Sequence, residues 1–291
     1  MAERLELVLR PEFENESLES GEVGEVQRPL SAWERIANVD GVRRTAILIA
    51  LALAWEAYAR YLGNPLMLPA FSEVMRALWD ALTAGPLLDR IYTTLKVLMI
   101  GYAVGIGIAA AFTALAVSTR IGTDLLSTLT AMFNPLPAIA LLPLALLWFG
   151  LGTPSLVFVI VHSVLWAVAL NTHTGFLAVS DTMRMAGQNY GLKGVRFVAH
   201  VLMPAALPAI LAGMKIGWAF AWRTLIAAEL VFGVSTSSGG LGWFIFENRN
   251  DLQTANVFAG LTAVIIIGLF VESVVFRNIE LRTVRRWGMQ R

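Results

Sequence analysis

Residues 185–204 read MAGQNYGLKGVRFVAHVLMP, a polar stretch that lies between two long apolar runs. The small pair Ala186 and Gly187 is followed four positions later by Gly191, and Pro204 stands thirteen residues beyond that glycine. Glycine permits tight local geometry, and proline is favoured in the first turn of a helix. The pattern therefore predicts a compact surface loop that leads into a helix.

Composition and hydropathy place the chain in a membrane. Hydrophobic residues make up 57% of it, charged residues make up 15%, and the mean hydropathy is +0.66, well above that of ordinary soluble proteins. A helix that crosses a bilayer needs about 20 mostly apolar residues. The sequence predicts an all-α membrane protein with six transmembrane helices, over residues 45–62, 91–117, 125–149, 155–176, 202–232 and 256–276.

The basic residues of the loops predict an orientation, because short loops rich in Lys and Arg stay in the cytoplasm. Alternate loops carry most of these residues, whereas the loops between them mix acidic and basic side chains. We therefore expect both termini in the cytoplasm. The net charge of +1, without a clustered basic face, excludes nucleic-acid binding. The residues on the predicted cytoplasmic side are Arg43, Arg44, Arg120, Arg184, Lys193, Arg196, Arg277, Arg282, Arg285, Arg286 and Arg291.

Composition also divides the chain into parts. Residues 1–40 begin with a glutamate-rich stretch too polar to fold alone, which predicts an acidic, mobile cytoplasmic tail. Residues 41–286 form the six-span domain, and residues 287–291 form a cytoplasmic C-terminal end. The polar loop of the opening motif covers about 178–200 and is called the docking loop below. The chain has no cysteine, which excludes disulfides and thiol ligands for metals.

The fifth predicted span carries charged residues inside an apolar run. Lys215, Arg223 and Glu229 lie there beside Trp222, and an ionised side chain costs about 2.5–3.5 kcal/mol at the bilayer centre. Lys215 and Arg223 are about 80° apart around a helix and roughly 12 Å apart along it, so one translocation path could contact both. Two cations along a path favour an anionic substrate. The alternative is that Lys215 extends to the cytoplasmic interface and Glu229 to the outer one.

Spans three and four contribute two further candidates for the path. Asn134 lies beside Pro135 and Pro137 in span three, where prolines free carbonyl groups that neighbours or a wet cavity must satisfy. This predicts either a broken helix beside a path or a simple kink. His162 shares a face of span four with Trp166, and a packed histidine is the alternative to a path residue. No metal-ligand spacing accompanies it.

Two other segments are predicted to pack rather than to bind. In span two, Gly101, Gly105 and Gly107 would let another helix approach closely. Between spans one and two, apolar residues at helical spacing predict an amphipathic helix at the outer membrane surface. These residues are Phe71, Val74, Leu78 and Leu82.

Residues 68–286 resemble the nitrate/sulfonate/taurine-type ABC importer permeases, most closely from 186 to 260. The docking loop is similar to their EAA loop, although Met185 replaces the glutamate that names the motif and Gly187 replaces its second alanine. The residues that carry the resemblance are Ala186, Gly187, Gly191, Phe197, Leu202, Pro204, Ala205, Leu207, Pro208, Ile210, Gly213, Trp222, Thr224, Ala227, Ala228, Glu229, Leu230, Gly240, Leu241, Gly242, Val257, Ala259 and Gly260.

The resemblance implies a type I ABC importer permease fold in the inner membrane, with two copies of the chain forming a homodimer. It also implies two ATPase subunits, which bind ATP and Mg²⁺, and an extracytoplasmic substrate-binding protein. This chain would be a non-catalytic transport subunit, and the sequence has no phosphate-binding loop of the Gly-x-x-x-x-Gly-Lys-Ser/Thr type. The residues implied to dock the ATPase are Met185, Ala186, Gly187, Tyr190, Gly191, Lys193, Gly194 and Arg196.

A gradient-driven transporter or channel is the alternative, with Arg223, Glu229 and His162 as an ion or proton relay. The sequence shows no inverted repeat that would support it. Candidate solutes are nitrate, bicarbonate, sulfonates such as taurine, aromatic carboxylates, and the cationic or neutral solutes of the wider group. Arg223 favours an anion among them.

Overall fold

A computed structural model of the chain describes residues 39–232 and 239–285, and these form helices joined by short turns. The acidic tail, apart from residues 39 and 40, and the C-terminal end at 287–291 lie outside the described residues. The chain divides into two compact units, the first ending at Leu53 and the second beginning at Ala54. The described part of the first unit is one stretch of helix. Every contact given below lies within the second unit.

Twelve α-helices occur within residues 39–232 and 239–285. In chain order they are α1 Asp40–Leu62, α2 Phe71–Thr83, α3 Leu87–Ser118, α4 Arg120–Phe133, α5 Leu142–Phe149, α6 Thr153–Leu177, α7 Asp181–Asn189, α8 Gly194–Phe197, α9 Met203–Phe232, α10 Leu241–Asn250, α11 Thr254–Phe270 and α12 Arg277–Glu280. A 3₁₀ turn precedes α5, and π-helical turns continue α8 into α9 and α11 into α12.

Five helical segments among the described residues are long and apolar enough to cross a membrane. They are Gly41–Leu62, Leu87–Ser118, Thr153–Leu177, Val198–Val231 and Thr254–Val284. The predicted spans at 45–62, 91–117, 155–176, 202–232 and 256–276 coincide with these segments. The count becomes six if the bent pair that follows α3 is taken as one span.

The third predicted span is a broken helix. Arg120–Phe133 and Ala138–Phe149 meet at an angle of 88°, and the break falls at the predicted prolines. Pro135 and Pro137 have no N–H to donate, so the helical hydrogen-bond ladder cannot run through this stretch. Of the two predicted outcomes for residues 125–149, the structure has the broken helix, and a bend of 88° is too large for a simple kink.

Helix α6 is the most buried of the spanning helices, and α3 and α9 pack along it. Small residues allow these close approaches. A Cβ on Gly101 would lie 2.6 Å from Ile160 Cγ2, and one on Gly105 would lie 2.8 Å from Val164 Cβ. A Cβ on Gly107 would have no atom of another described segment within 4 Å, so Gly107 does not belong to this contact.

The same device operates where α6 meets α9. A Cβ on Gly175 would lie 2.5 Å from Ala209 Cβ, and one on Gly213 would lie 2.7 Å from Asn171 Cβ. The two helices therefore pack nearly backbone to backbone along the half that leads to the docking loop.

The predicted amphipathic helix is present as α2. Glu73 in its first turn reaches back to the residue before the helix, where its Oε2 accepts a hydrogen bond from the Ala70 N–H at 3.0 Å. Val74 is fully buried, and Leu78 and Leu82 pack against the main hydrophobic core. The apolar stripe of the helix thus faces the bundle.

Candidate functional site

The docking loop contains one exposed helix, α7, between the long helices α6 and α9. Met185 is 55% exposed and Tyr190 is 87% exposed, so large side chains of this helix project away from the protein. Gly187 faces the opposite way and is buried. A Cβ at this position would lie 2.7 Å from Val201 Cγ2 and 3.0 Å from Phe197 Cε2. Only glycine lets α7 lie this close to the segment that begins α9.

A Schellman motif ends α7. The Leu192 N–H donates to the Gly187 carbonyl at 3.1 Å, and the Gly191 N–H donates to the Gln188 carbonyl at 2.9 Å. Gly191 has a φ of 73°, a left-handed conformation that costs other residues roughly 1–2 kcal/mol. Gly194 has a φ of 56° and starts α8. The two glycines therefore set the path of the chain from α7 back towards the membrane domain.

Arg184 ties α7 to the end of α6. Its Nη2 donates to the Phe176 carbonyl at 2.5 Å, and its Nε donates to the Val179 carbonyl at 3.1 Å. A cation at the C-terminus of a helix also complements the helix dipole. The remaining residues predicted to dock a partner, Ala186, Lys193 and Arg196, are exposed. The loop thus has an outward face and two attachments to the bundle.

The break in span three opens a cavity of about 340 Å³. Three of the predicted path residues, Asn134, His162 and Arg223, lie on its wall although they come from three different helical segments. The full lining is Asn134, Pro135, Leu136, Pro137, Ala138, Ile139, His162, Ser163, Trp166, Phe220, Arg223, Thr224 and Ala227.

Arg223 supplies the positive charge of this cavity. Its Nε donates to the Ala219 carbonyl at 3.0 Å, and its guanidinium carbon lies 5.1 Å from the centre of the Phe220 ring. These contacts hold the base of the guanidinium group. The side chain is exposed within the described chain, so its terminal nitrogens face the open space.

The rings of His162 and Trp166 form another side of the cavity, and Phe133 packs against both of them. Trp166 stacks on Phe133, with ring centroids 5.5 Å apart and planes at 11°, and the His162 ring lies edge-on to both. Both imidazole nitrogens of His162 and the indole nitrogen of Trp166 are buried without a hydrogen-bond partner among the described residues. Buried polar groups without partners are rare in proteins and are often found where a ligand or water binds.

The other three path candidates lie elsewhere. Lys215 is half exposed, and its Nζ lies 3.3 Å from Glu272 Oε1 beside a different, smaller cavity. Trp222 is buried in the core near Gly268. Glu229 is fully buried. Lys215 and Arg223 therefore do not face one cavity, because Lys215 turns towards the helix that follows α11.

Glu229 is the centre of a buried hydrogen-bond network. Its carboxylate accepts from the Thr94 hydroxyl at 2.9 Å and from the Gly242 amide at 2.8 Å, and the Leu241 amide donates to the Thr94 hydroxyl at 2.7 Å. A Cβ on Gly240 would overlap the carboxylate of Glu229. The network joins α3, α9 and the start of α10, and Glu229 does not line the cavity at the break of span three.

Ser163 and Thr224 also line the cavity, and neither was predicted as a site residue. The Ser163 hydroxyl donates to Thr224 Oγ1 at 2.9 Å across α6 and α9. Their position next to His162 and Arg223 in the sequence was the available signal. For metals, no cluster of three or more His, Asp or Glu side chains occurs in the described part of the chain.

The fold and the loop define a class: a multi-pass membrane protein of apolar helices with an exposed helix between two of its spans. Residues 103–285 match the family described as the binding-protein-dependent transport system inner membrane component, and the chain belongs to this family. The predicted resemblance to the ABC importer permeases of the nitrate/sulfonate/taurine group is thereby confirmed.

Named relatives give the same classification. The chain is similar to an ABC transporter permease protein of Methanocaldococcus jannaschii, with 31% identity covering 77% of this chain and 85% of the relative. It is 29% identical to the taurine transport system permease protein TauC of Escherichia coli, over 78% of this chain and 82% of that one. The nitrate import permease protein NrtB of Synechocystis is 26% identical, over 79% and 86% of the respective chains.

Proposed function

We propose that this chain is the transmembrane permease subunit of an ATP-driven, binding-protein-dependent ABC importer of a small organic or inorganic anion. The observation that carries this proposal is the geometry of the docking loop. An exposed helix, α7, stands between two spans and is attached to both of them. Membership of the binding-protein-dependent transport family supports the same function.

In this proposal, two copies of the chain form a homodimer in the inner membrane, and each copy docks one ATPase subunit through α7. ATP and Mg²⁺ bind to the ATPase chains, and a substrate-binding protein delivers the solute from the other side. The exposed Met185 and Tyr190 offer apolar surface for the docking contact. Because Met185 stands at the position of the family glutamate, docking here does not use a carboxylate at that position.

The attachments of α7 describe how movement of the ATPase would reach the membrane domain. The contact of Gly187 with Phe197 and Val201 links α7 to the start of α9, and Arg184 links it to the end of α6. Helices α6 and α9 both contribute walls of the cavity at the break of span three. A push on α7 would therefore move two walls of that cavity.

An anionic solute follows from the charge of the cavity. Arg223 lines it, and no carboxylate occurs among its lining residues in the described chain. The name of the nitrate permease supports a solute of this charge for the present chain, and taurine, although it has no net charge, carries a sulfonate group that an arginine can bind. A gradient-driven relay through Arg223, His162 and Glu229 has less support, because Glu229 is enclosed by Thr94 and Gly242 and does not line the cavity.

The test is to purify the tagged chain from its native membrane in mild detergent, identify the proteins bound to it and measure ATP hydrolysis and solute uptake. We expect an ATPase to co-purify and to be lost when residues 185–196 are scrambled. A chain recovered alone that moves solute down an ion gradient would overturn the proposal.

A second variant tests the coupling rather than the assembly. Gly191→Val is expected to leave ATP hydrolysis but to reduce uptake, because valine disfavours the left-handed φ that turns the chain after α7. Gly107→Val is the matched control, since a Cβ on Gly107 would have no atom of another described segment within 4 Å. Unchanged uptake in Gly191→Val would contradict the coupling role of the loop.

A further inference from the structure

The cavity at the break of span three has the features of a ligand site within the membrane domain. We propose that it binds an organic monoanion with a flat, apolar body, such as an aromatic sulfonate or carboxylate. This inference rests on the proposed function, and it adds a selectivity site in the permease itself to the selectivity of a binding protein.

The charge of the site comes from one arginine. The Arg223 guanidinium is held by a hydrogen bond from its Nε to the Ala219 carbonyl and by a cation–π contact with the Phe220 ring. Its terminal nitrogens make no hydrogen bond to residues 39–232 or 239–285. A guanidinium presents paired donors that match the oxygens of a carboxylate or a sulfonate. A single arginine and no lining carboxylate favour one negative charge on the ligand.

The apolar body of the ligand is indicated by the other walls. Pro135, Pro137 and Ile139 come from the break of span three, and Trp166 and Phe220 come from α6 and α9. Flat rings pack well against aromatic side chains and against proline. A small inorganic anion buries little apolar surface, so it gains less from walls of this kind than an aromatic anion does.

His162 and Trp166 supply hydrogen-bonding groups beside these walls. Neither ring has a hydrogen-bond partner for its nitrogens in the described chain, although both rings line the cavity. These nitrogens have almost no exposed surface, so a ligand oxygen reaches them only when the rings rotate on binding. A ligand with several oxygens then supplies the acceptor and donor partners that the protein does not provide. These two residues are therefore expected to discriminate in favour of ligands that carry acceptors.

The size of the cavity excludes the smallest solutes as a good fit. At roughly 30 Å³ for each water-sized group, 340 Å³ holds on the order of ten such groups. Nitrate or bicarbonate would fill only a fraction of it and would leave the aromatic walls in contact with water. An anion with one aromatic ring fills more of the volume and covers more of the aromatic walls.

The experiment measures binding of sodium benzenesulfonate by calorimetry to the full-length chain in lipid nanodiscs, with any co-purifying ATPase and without a binding protein. We expect saturable binding that nitrate at the same concentration does not displace. Benzylammonium, which has a similar ring and the opposite charge, is expected not to bind. Equal displacement by nitrate, or equal binding of benzylammonium, would overturn the proposal.

Variants locate the bound anion. Arg223→Gln is expected to weaken binding about tenfold or more, and Trp166→Phe, which keeps a ring and removes the N–H, about fivefold. Lys215→Gln is the matched control, because this cation lies on the same helix outside the cavity and pairs with Glu272. Thermal unfolding of each variant checks that it is folded. Unchanged binding in a folded Arg223→Gln protein would remove the site.

The same preparations separate the two proposals. If an ATPase co-purifies and hydrolyses ATP but benzenesulfonate does not bind, the importer function stands and the ligand site is wrong. If benzenesulfonate binds to a chain that recovers no ATPase, the ligand site stands and the importer function is wrong.

Discussion

Glu229 and Glu272 are carboxylates on two membrane helices, and their surroundings give them different roles. Glu229 is fully buried and accepts hydrogen bonds from Thr94 and Gly242. The Glu272 side chain is 63% exposed and pairs with Lys215. An exposed ion pair stabilises a protein little, whereas a buried carboxylate satisfies groups that would otherwise be buried without an acceptor. Glu229 therefore fastens the start of α10 to α3 and α9.

Replacing Glu229 with alanine is expected to destabilise the fold by about 2–4 kcal/mol, because the Thr94 hydroxyl and the Gly242 amide lose their acceptor. The measurement is the thermal unfolding of the purified chain in detergent. Glu272→Ala is the matched control and should change the free energy of unfolding by less than about 1 kcal/mol. Similar shifts from both variants would show that Glu229 does not have this structural role.

At the scale of the helices, the crossing of α3 and α6 depends on side chains that are absent. Gly105 lies against Val164 with no room for a Cβ, whereas Gly107, two residues later, faces open space. Gly105→Leu is therefore expected to destabilise the fold by about 1–3 kcal/mol through overpacking, and Gly107→Leu is expected to be tolerated. Detergent-solubilised yield and unfolding temperature measure both. Equal losses would contradict the assigned crossing.

The attachment of α7 to α6 is a second feature at this scale. Arg184→Gln removes the charge that binds the carbonyl groups of Phe176 and Val179, and loss of charged hydrogen bonds costs about 1.5–3 kcal/mol. We expect the ATPase to remain bound and uptake per ATP hydrolysed to fall.

Arg120→Gln is the control for this prediction. Arg120 is an exposed cation outside the docking loop, at the start of α4. Uptake per ATP that falls equally in both variants would point to a general effect of surface charge rather than to the link between α7 and α6.

For the whole molecule, the orientation in the membrane remains a prediction from the basic residues of the loops. The chain has no cysteine, so an introduced one can be labelled without background. A membrane-impermeant maleimide applied to intact cells, with the outer membrane permeabilised where one is present, is expected to label Asp251→Cys, in the turn between α10 and α11. It should label Tyr190→Cys, at the end of α7, only after the cytoplasmic membrane is opened. The reverse pattern would place the docking loop outside the cell.

The predicted helices and the docking loop show how far sequence patterns reach. Apolar runs predicted six spans, and five of them are long apolar helices among the described residues. Hydropathy reveals their length because a helix in a bilayer must satisfy its own backbone hydrogen bonds. The small-residue pattern predicted the loop because each glycine meets a local requirement. Gly187 allows a close approach between segments, and Gly191 adopts a positive φ. The break at Pro135 and Pro137 was foreseen as one of two outcomes.

The roles of the charged residues in α9 could not be predicted from the sequence. Angular spacing on one helix placed Lys215 and Arg223 near one path, yet the positions of Lys215 and Glu229 depend on partners that are distant in the sequence. Glu272 draws Lys215 aside, and Thr94 and Gly242 enclose Glu229. A periodic pattern contains no information on such partners.

The sequence by itself determined that this chain is a helical membrane protein with a glycine-rich loop between two spans, because hydropathy and glycine positions depend on local physics. Its family followed from resemblance and from the match over residues 103–285. The tertiary structure alone decided which polar groups share a cavity. Asn134, His162 and Arg223 meet at the break of span three because three separate helical segments converge there. Glu229 does not line this cavity, because the packing of the helices buries its side chain completely.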